Sequence, residues 1–411
     1  MPPLLDVASA LEIVVRTAHR LPEEVVPLGD VLGRVLARDV VSRVASPPFD
    51  KALMDGYAVR AEDLDSPEYQ GGSSNVASLK VVGTVYAGQV PDRGVEAGEA
   101  VQIMTGAPLP VGTTAVVKVE STTRDGDMVL VHELVRAGAN LIRQGAVMQP
   151  GDSALAAGTL LMPQQLAGLA ELGVTSVAVR RRPRVAILAT GDELVPPDQT
   201  PGPGQIRNTN ATLLAGQARL AGCEVHPLGI ARDTLGELAP RIVEGLKCDL
   251  LLLTGGVSAG LLDLVPQALA SAGVQQVFHN VDMKPGKPVW FGLRPGAEPC
   301  LVFGLPGNPV SSMVCFELFV KTAIRQLLGI APAVVPPLTA MAAVDETYTS
   351  DRPTFHPALI EFHSPSAIAR TIPWQGSSDL KATLSANGMI YFPPSTQPVK
   401  QGDPMIVHKW N

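Results

Sequence analysis

Cysteine, charge and long apolar runs are all scarce in this sequence. Its four cysteines, Cys223, Cys248, Cys300 and Cys315, are widely spaced and form no CxxC pair. That spacing argues against a zinc site, and three of the four sit in or beside apolar runs, as small buried thiols of a reducing compartment do. Charged residues make up only 17% of the chain and the net charge is −7, so the broad basic face of a general nucleic-acid binder is missing. A local basic pocket stays compatible with that balance. No apolar run approaches the length that spans a bilayer. The opening MPPLLDVASALEIVV lacks the basic region and cleavage site of a signal peptide. These absences point to a soluble cytoplasmic protein with neither membrane nor nucleic acid as a partner. Seven histidines form no cluster, and no Ser/His/Asp or Cys/His constellation supports a hydrolytic nucleophile.

What is present is a long apolar chain, 46% hydrophobic over 411 residues, which predicts two to four domains. Residues 6–20 place Val7, Ala10, Leu11, Val14, Val15 and Ala18 on one helical face, with Asp6 as N-cap. From 76 to 136, short β-branched runs between Gly, Pro and Asp turns predict a small all-β unit, a barrel or a sandwich. LMPQQLAGLAELG reads as a helix closing at Gly173, and Arg180–Arg182 with Pro183 and Arg184 as a boundary, a solvated linker rather than a nucleic-acid patch. Beyond it, apolar strands alternate with helices (RVAILAT, ATLLAGQARLAG, CEVHPLGI, TLGELAPRIVEGL, DLLLLTGG), which predicts a doubly wound α/β fold on a parallel sheet over 183–330. PPDQTPGPG (196–204) reads as a flexible loop. Short runs after 331 predict a C-terminal β unit.

The candidate chemistry gathers at strand ends. Thr254-Gly255-Gly256-Val257-Ser258-Ala259-Gly260 follows a buried strand and precedes a helix, a place suited to an anionic or planar ligand and equally to a plain tight turn. ATGDELV supplies Asp192 and Glu193, and Asp233 and Asp263 add two more carboxylates at strand ends. Oxygen ligands beside a phosphate loop suggest Mg2+, whereas capping or simple exposure would explain each acid singly. MKPGKPVWFG sets Lys284 and Lys287 around a Pro-Gly turn, able to offset an oxyanion. GLPGNPVSS (304–312) opens the longest helix, where Ser311 and Ser312 also suit capping. Asp55 and Thr105-Gly106 read, by themselves, as ordinary turns.

Seven stretches in order, FD-x-x-x-MDGYAV (49–59), IMTGAP (103–108), TGDEL (190–194), TN (209–210), GGVS-x-G-x-x-D (255–263), KPGKP (284–288) and GLPGNPVS (304–311), resemble the molybdopterin molybdenumtransferases of the MoeA/gephyrin E-domain type nearly end to end. The resemblance implies four units: an elongated helical, dimerising one (1–45 and 145–182), an inserted β domain (46–144), the α/β molybdopterin-binding domain (183–330) and a C-terminal β barrel (331–411). It implies a homodimer whose cleft lies between the α/β domain of one subunit and the β domain of the other, which would bring Asp55 and Thr105 into the site. The activity implied is insertion of molybdate into adenylated molybdopterin with release of AMP, aided by Mg2+. The implied partners are a molybdopterin adenylyltransferase and molybdoenzymes. Asp55, Thr105, Glu193, Asp233, Asp263, Lys284 and Lys287 would carry the chemistry, with Glu193, Asp233 and Asp263 on the metal. Thr190, Gly191, Asp192, Asn210, Gly255, Gly256, Ser258, Gly260, Pro306, Asn308, Pro309, Ser311, Arg352 and Ser377 would bind the pterin substrate.

The family pattern is not kept everywhere. Lys51 and Ala52 stand for Asn-Ser, Ala146 and Val147 for Glu-Asp, Leu261 for Glu, Lys381 and Ala382 for a serine pair, and Pro357 for a second arginine. A non-catalytic paralogue that binds molybdopterin or a partner as carrier or scaffold is the alternative this implies.

Overall fold

The computed structural model describes residues 4–67, 76–256, 264–346, 348, 350–363, 366–394 and 398–410. At its centre is a six-stranded sheet in the order Glu224–Ala231, Arg184–Thr190, Leu250–Thr254, Cys300–Leu305, Trp290–Arg294, Gln275–His279. The first four strands are parallel. Leu250–Thr254 and Cys300–Leu305 are buried at every residue, and alternate side chains serve opposite faces. Leu250 and Leu252 join a core holding Phe291, Phe303, Phe316 and Phe319, while Leu251 and Leu253 join Leu238, Ile242 and Val302. A strand with helices on both sides has no use for a polar face, hence the run of four leucines.

The sheet departs from the all-parallel expectation at one edge, where Trp290–Arg294 runs antiparallel to both neighbours. Residues 280–289 are too few for a helical crossover, so the chain can only double back. The Lys284–Pro288 turn is that reversal.

The longest helix starts at Pro309–Cys315, passes through a π-helical turn at Phe316–Val320 and continues as Lys321–Leu328, closed by left-handed Gly329. The N-terminal helix Val7–Thr17 lies against it. Asp6 caps that helix by accepting the Ser9 N–H at 2.8 Å, and Ala10 and Val14 enter the same core as Phe316 and Leu327. From there Glu23–Pro27 pairs with Ser176–Arg180, and Val40–Val41 with Ser153–Leu155. These pairs carry the chain out and back. Between them, Ala115–Lys118, Gly56–Val59, Glu99–Ile103, Ala77–Val85, Met128–Val131 and Thr122–Asp125 make a single curled six-stranded sheet, apolar on both faces, in place of the expected barrel or sandwich. The C-terminal unit does close: Leu338–Ala342, Ser366–Thr371, Thr354–His363, Gly388–Phe392 and Pro404–Lys409 form a five-stranded barrel.

The arginine run is not the solvated linker its composition suggests. Arg180 donates to the Leu21 carbonyl at 3.0 Å, and Arg181 grips Asp249 through two bonds of 2.7 and 2.9 Å. Asp249, 6% exposed at the head of the four-leucine strand, also accepts the Arg184 N–H at 2.7 Å. A buried carboxylate needs such donors, and the two ends of the boundary supply them. Asp249→Ala would strand the Arg181 guanidinium and is expected to cost about 3 kcal/mol. Urea unfolding followed by tryptophan fluorescence measures it, and a loss near zero would remove the clamp from the account.

Candidate active site

The connection after Arg184–Thr190 leads to Glu224–Ala231 on one side, and the connection after Leu250–Thr254 leads to Gln275–His279 on the other. The order therefore reverses between Arg184–Thr190 and Leu250–Thr254, and a crevice opens beyond their carboxyl ends. At that point the two strands nearly collide. Gly255 has φ +91°, and a Cβ there would overlap the Thr190 carbonyl oxygen. Its own N–H reaches the Leu305 carbonyl at 3.3 Å. Part of the reason for a glycine strand end is thus the neighbouring strand.

Asn210, in the first turn of Asn210–Leu220, donates to Thr254 Oγ1 and to the Gly307 carbonyl, both at 2.7 Å. Asn308 donates to Ser377 Oγ at 2.8 Å, and the Val310 N–H to the Ser377 carbonyl at 3.1 Å, so the Gln-Gly-Ser loop is drawn onto the start of the Pro309–Cys315 helix. There Ser312 closes onto the Pro306 carbonyl and Ser311 is buried. The result is a cleft of about 510 Å³ lined by Thr190, Glu193, Asn210, Thr254, Gly255, Asn308 and Pro309, with Ser378 and Leu380 opposite the sheet.

Three acids gather on one flank. Asp192 accepts the Asp233 N–H at 3.2 Å. Burial, then the charges of Asp192 and Glu193, push the Asp233 carboxyl above its ordinary range. The one cation among them, Arg232, is spent on backbone: it donates to the carbonyls of Gly191 (3.3 Å), Asp192 (2.8 Å) and Leu194 (3.2 Å). Sequence reasoning missed Arg232, although a basic residue between a strand end and an acid was the available signal. Among the described residues, no group of three or more His, Cys, Asp or Glu is arranged to hold a metal ion. Ser258, Gly260 and Asp263 lie outside the described residues, as do Leu261 and Leu262.

Not every expected residue reaches this cleft. Lys284 and Lys287 are exposed on their turn and do not line it. The Lys284 backbone is stitched to the barrel by the Pro353 carbonyl (2.8 Å) and the Phe355 N–H (2.7 Å), and its ammonium sits 5.8 Å from the Tyr348 ring centre. Gly286 is required beneath them, since a Cβ would come within 2.6 Å of Cys315 Sγ. Arg352 is paired with Asp351 at 2.9 and 3.3 Å. Asp55 accepts the Thr105 N–H at 2.7 Å and its hydroxyl at 2.8 Å, which holds the Asp55 carboxyl low, the backbone bond contributing most. That pair is exposed on the curled sheet, and among the described residues nothing joins it to the cleft of its own chain. The departures are scattered likewise. Ala52 is buried in the curled sheet's core, Val147 is exposed, and Lys381 is exposed on the short helix Leu380–Thr383 beside the cleft.

Residues 5–173 match the family described as MoeA N-terminal region (domain I and II), 186–326 the probable molybdopterin binding domain, and 339–410 the MoeA C-terminal region (domain IV). The molybdopterin molybdenumtransferase 2 of Mycobacterium tuberculosis is 33% identical over 93% of this chain and 94% of its own. The chain belongs to the MoeA family. A molybdopterin molybdenumtransferase of Nostoc is 35% identical over 86% of this chain and 80% of its own. The crystal structure of the MoeA molybdopterin biosynthesis protein from Pyrococcus horikoshii superimposes with a TM-score of 0.82 at 31% identity, over 98% of this chain and 99% of that one. No helix among the described residues is long and apolar enough to cross a membrane.

The crowding of acids has a measurable sign. A carboxyl raised in the folded state favours folding below its ordinary range and opposes it once ionised. In this MoeA-family protein, wild type should therefore lose thermal stability relative to Asp233→Asn as pH rises from below the usual aspartate range toward neutrality. Melting curves of the two proteins across that interval should converge at the acid end. Parallel curves would show that Asp233 feels no such crowding.

Proposed function

We propose that the protein inserts molybdate into adenylated molybdopterin and releases AMP, completing the molybdenum cofactor in the cytoplasm. The observation carrying this is the cleft at the switch point, lined by Thr190 and Glu193 of TGDEL, by Thr209 and Asn210, by Gly255, and by Gly307, Asn308 and Pro309 of GLPGNPVS, in a chain whose relatives bear that transferase name over most of their length. Nothing observed favours a carrier that has lost turnover. Four units, 1–45 with 145–182, 46–144, 183–330 and 331–411, are assigned to dimerisation, the partner's share of the cleft, molybdopterin binding and the barrel.

Gly256 and the loop through Ser258 and Gly260 hold the substrate phosphate with backbone N–H groups, assisted by the helix starts at Asn210 and Pro309, while Gly255, its N–H turned to the Leu305 carbonyl, permits the close approach. Thr190, Gly191, Asp192, Asn210, Pro306, Asn308, Ser311 and Ser377 shape the pocket around the pterin. Lys284, Lys287 and Arg352 offset the charge of the arriving molybdate from the barrel side. Glu193 and Asp233, with Asp263, suit Mg2+: the charges of Asp192 and Glu193 raise the Asp233 carboxyl, a crowding that a hard divalent cation would relieve, and in place it would draw negative charge from the phosphate oxygens. Catalysis here is positioning and electrostatic stabilisation, with no protein nucleophile. Asp55, held by Thr105, comes from the second subunit of a homodimer. Molybdopterin adenylyltransferase supplies the substrate, and molybdoenzymes accept the product.

A single-turnover incubation with adenylated molybdopterin, Mg2+ and molybdate tests the reading. AMP release should depend on molybdate, and Glu193→Gln should slow it by about a hundredfold or more. Mixing Glu193→Gln with Asp55→Ala, each inactive alone, should restore about a quarter of the activity if protomers exchange at random around a twofold-shared site. No restoration from a confirmed mixed dimer would place Asp55 in the cleft of its own chain and overturn the shared site.

A further inference from the structure

One wall of the cleft is made by residues to which no role has been assigned. The loop from Pro196 runs between Leu194–Val195 and Ile206–Arg207, two short strands that pair in parallel. The flexible reading of that loop gives way to an anchored one, and Gln205, Arg207 and Asn208 project from its end. Each is held at one point. Gln205 Oε1 accepts the Gly202 N–H at 3.0 Å, Arg207 Nε donates to the Pro197 carbonyl at 3.1 Å, and Asn208 Oδ1 accepts the Ala211 N–H at 3.1 Å. What each leaves over is a donor: the Gln205 amide, both terminal nitrogens of Arg207 and the Asn208 amide. Among the described residues none of these has a partner.

Asn208 decides the chemistry. Its side chain lines the cleft and the residue is only 7% exposed, yet its sole acceptor is already used as a helix cap. The amide nitrogen, without a protein partner, is left to meet an oxygen that enters the cleft. The planar fork of Arg207 matches phosphoryl oxygens, and the positive end of the eleven-residue Asn210–Leu220 helix lies alongside. Among the described residues, Glu193 is the one carboxylate that lines the cleft.

We infer that Gln205, Arg207 and Asn208 form a phosphoryl-binding wall that takes the nucleotide phosphate of the substrate. The nucleotide assignment rests on the transferase reading, while the oxyanion chemistry does not. The wall is separate from the Lys284–Lys287 turn, so a polyanion with two charged ends meets donors at both.

Calorimetric titration of the full chain with AMP, and separately with inorganic phosphate, tests the wall. Asn208→Asp keeps the oxygen that caps Ala211 and exchanges the free donor for a carboxylate oxygen. It should weaken AMP binding at least tenfold, and so should Arg207→Ala at the exposed neighbour, whereas Arg207→Lys should keep part of the affinity. Unchanged affinity in both Asn208→Asp and Arg207→Ala, with melting temperatures like wild type, overturns the wall, as does a wild type that binds neither AMP nor phosphate. Phosphate bound as tightly as AMP, and lost in both variants, supports the wall but overturns its assignment to the nucleotide. AMP bound and lost as expected, by a wild type that shows no molybdate-dependent AMP release, supports the wall and counts against the transferase reading alone.

Discussion

The site depends on one steric constraint, the meeting of Gly255 with the Thr190 carbonyl. Two parallel strands end side by side, and the connections that follow them leave in opposite directions. The backbone of one must pass across the end of the other, and at φ +91° no residue with a Cβ fits. Because that passage is closed to side chains, the floor of the crevice is backbone. Its polar groups must then be satisfied locally or by a ligand. Asn210 serves locally, tying Thr254 to Gly307, and so joins the ends of two strands to the start of a helix.

A second constraint sets where this crevice sits in the chain. Asp249 stands at the opposite end of the same strand from Gly255, and it binds both Arg181 and the Arg184 backbone. The strand is thereby fixed at its entry by charge and at its exit by sterics. The arm that carries the curled sheet leaves from the charged end. Asp55 and Thr105 are exposed on the curled sheet and are not among the described residues that line the cleft of their own chain.

Much of this was legible in residue order because the physics was local. The four-leucine strand, the Asp6 cap, the alternation after Arg184 and the Gly173 stop each follow from a few adjacent residues, and the structure has them. What was illegible depended on partners far away in sequence. Arg180 and Arg181 look like a solvated run until Leu21 and Asp249 are brought to them. The antiparallel strand Trp290–Arg294, next to the edge, lacked any pattern of its own and was dictated by the brevity of residues 280–289. Asp192, Glu193 and Asp233 were found as strand-end acids, but that they crowd one another, with Arg232 occupied by backbone, is a matter of three-dimensional charge.

The same distinction explains why the cleft's walls differ in character. Arg232 directs its hydrogen bonds inward, to three carbonyls, and its charge offsets the neighbouring acids only in part, so the Asp233 carboxyl stays raised. Arg207 uses only its Nε to stay in place and keeps its terminal nitrogens free. Two arginines near one crevice therefore act oppositely: one shapes a flank that is left short of positive charge, the other a wall that has donors to spare. A substrate carrying phosphate, with a divalent cation beside it, is the chemistry that satisfies both at once, since the cation answers the acids and the phosphate answers the donors. An anion alone would face the acids unscreened, and a cation alone would leave the donors of Arg207 and Asn208 unused.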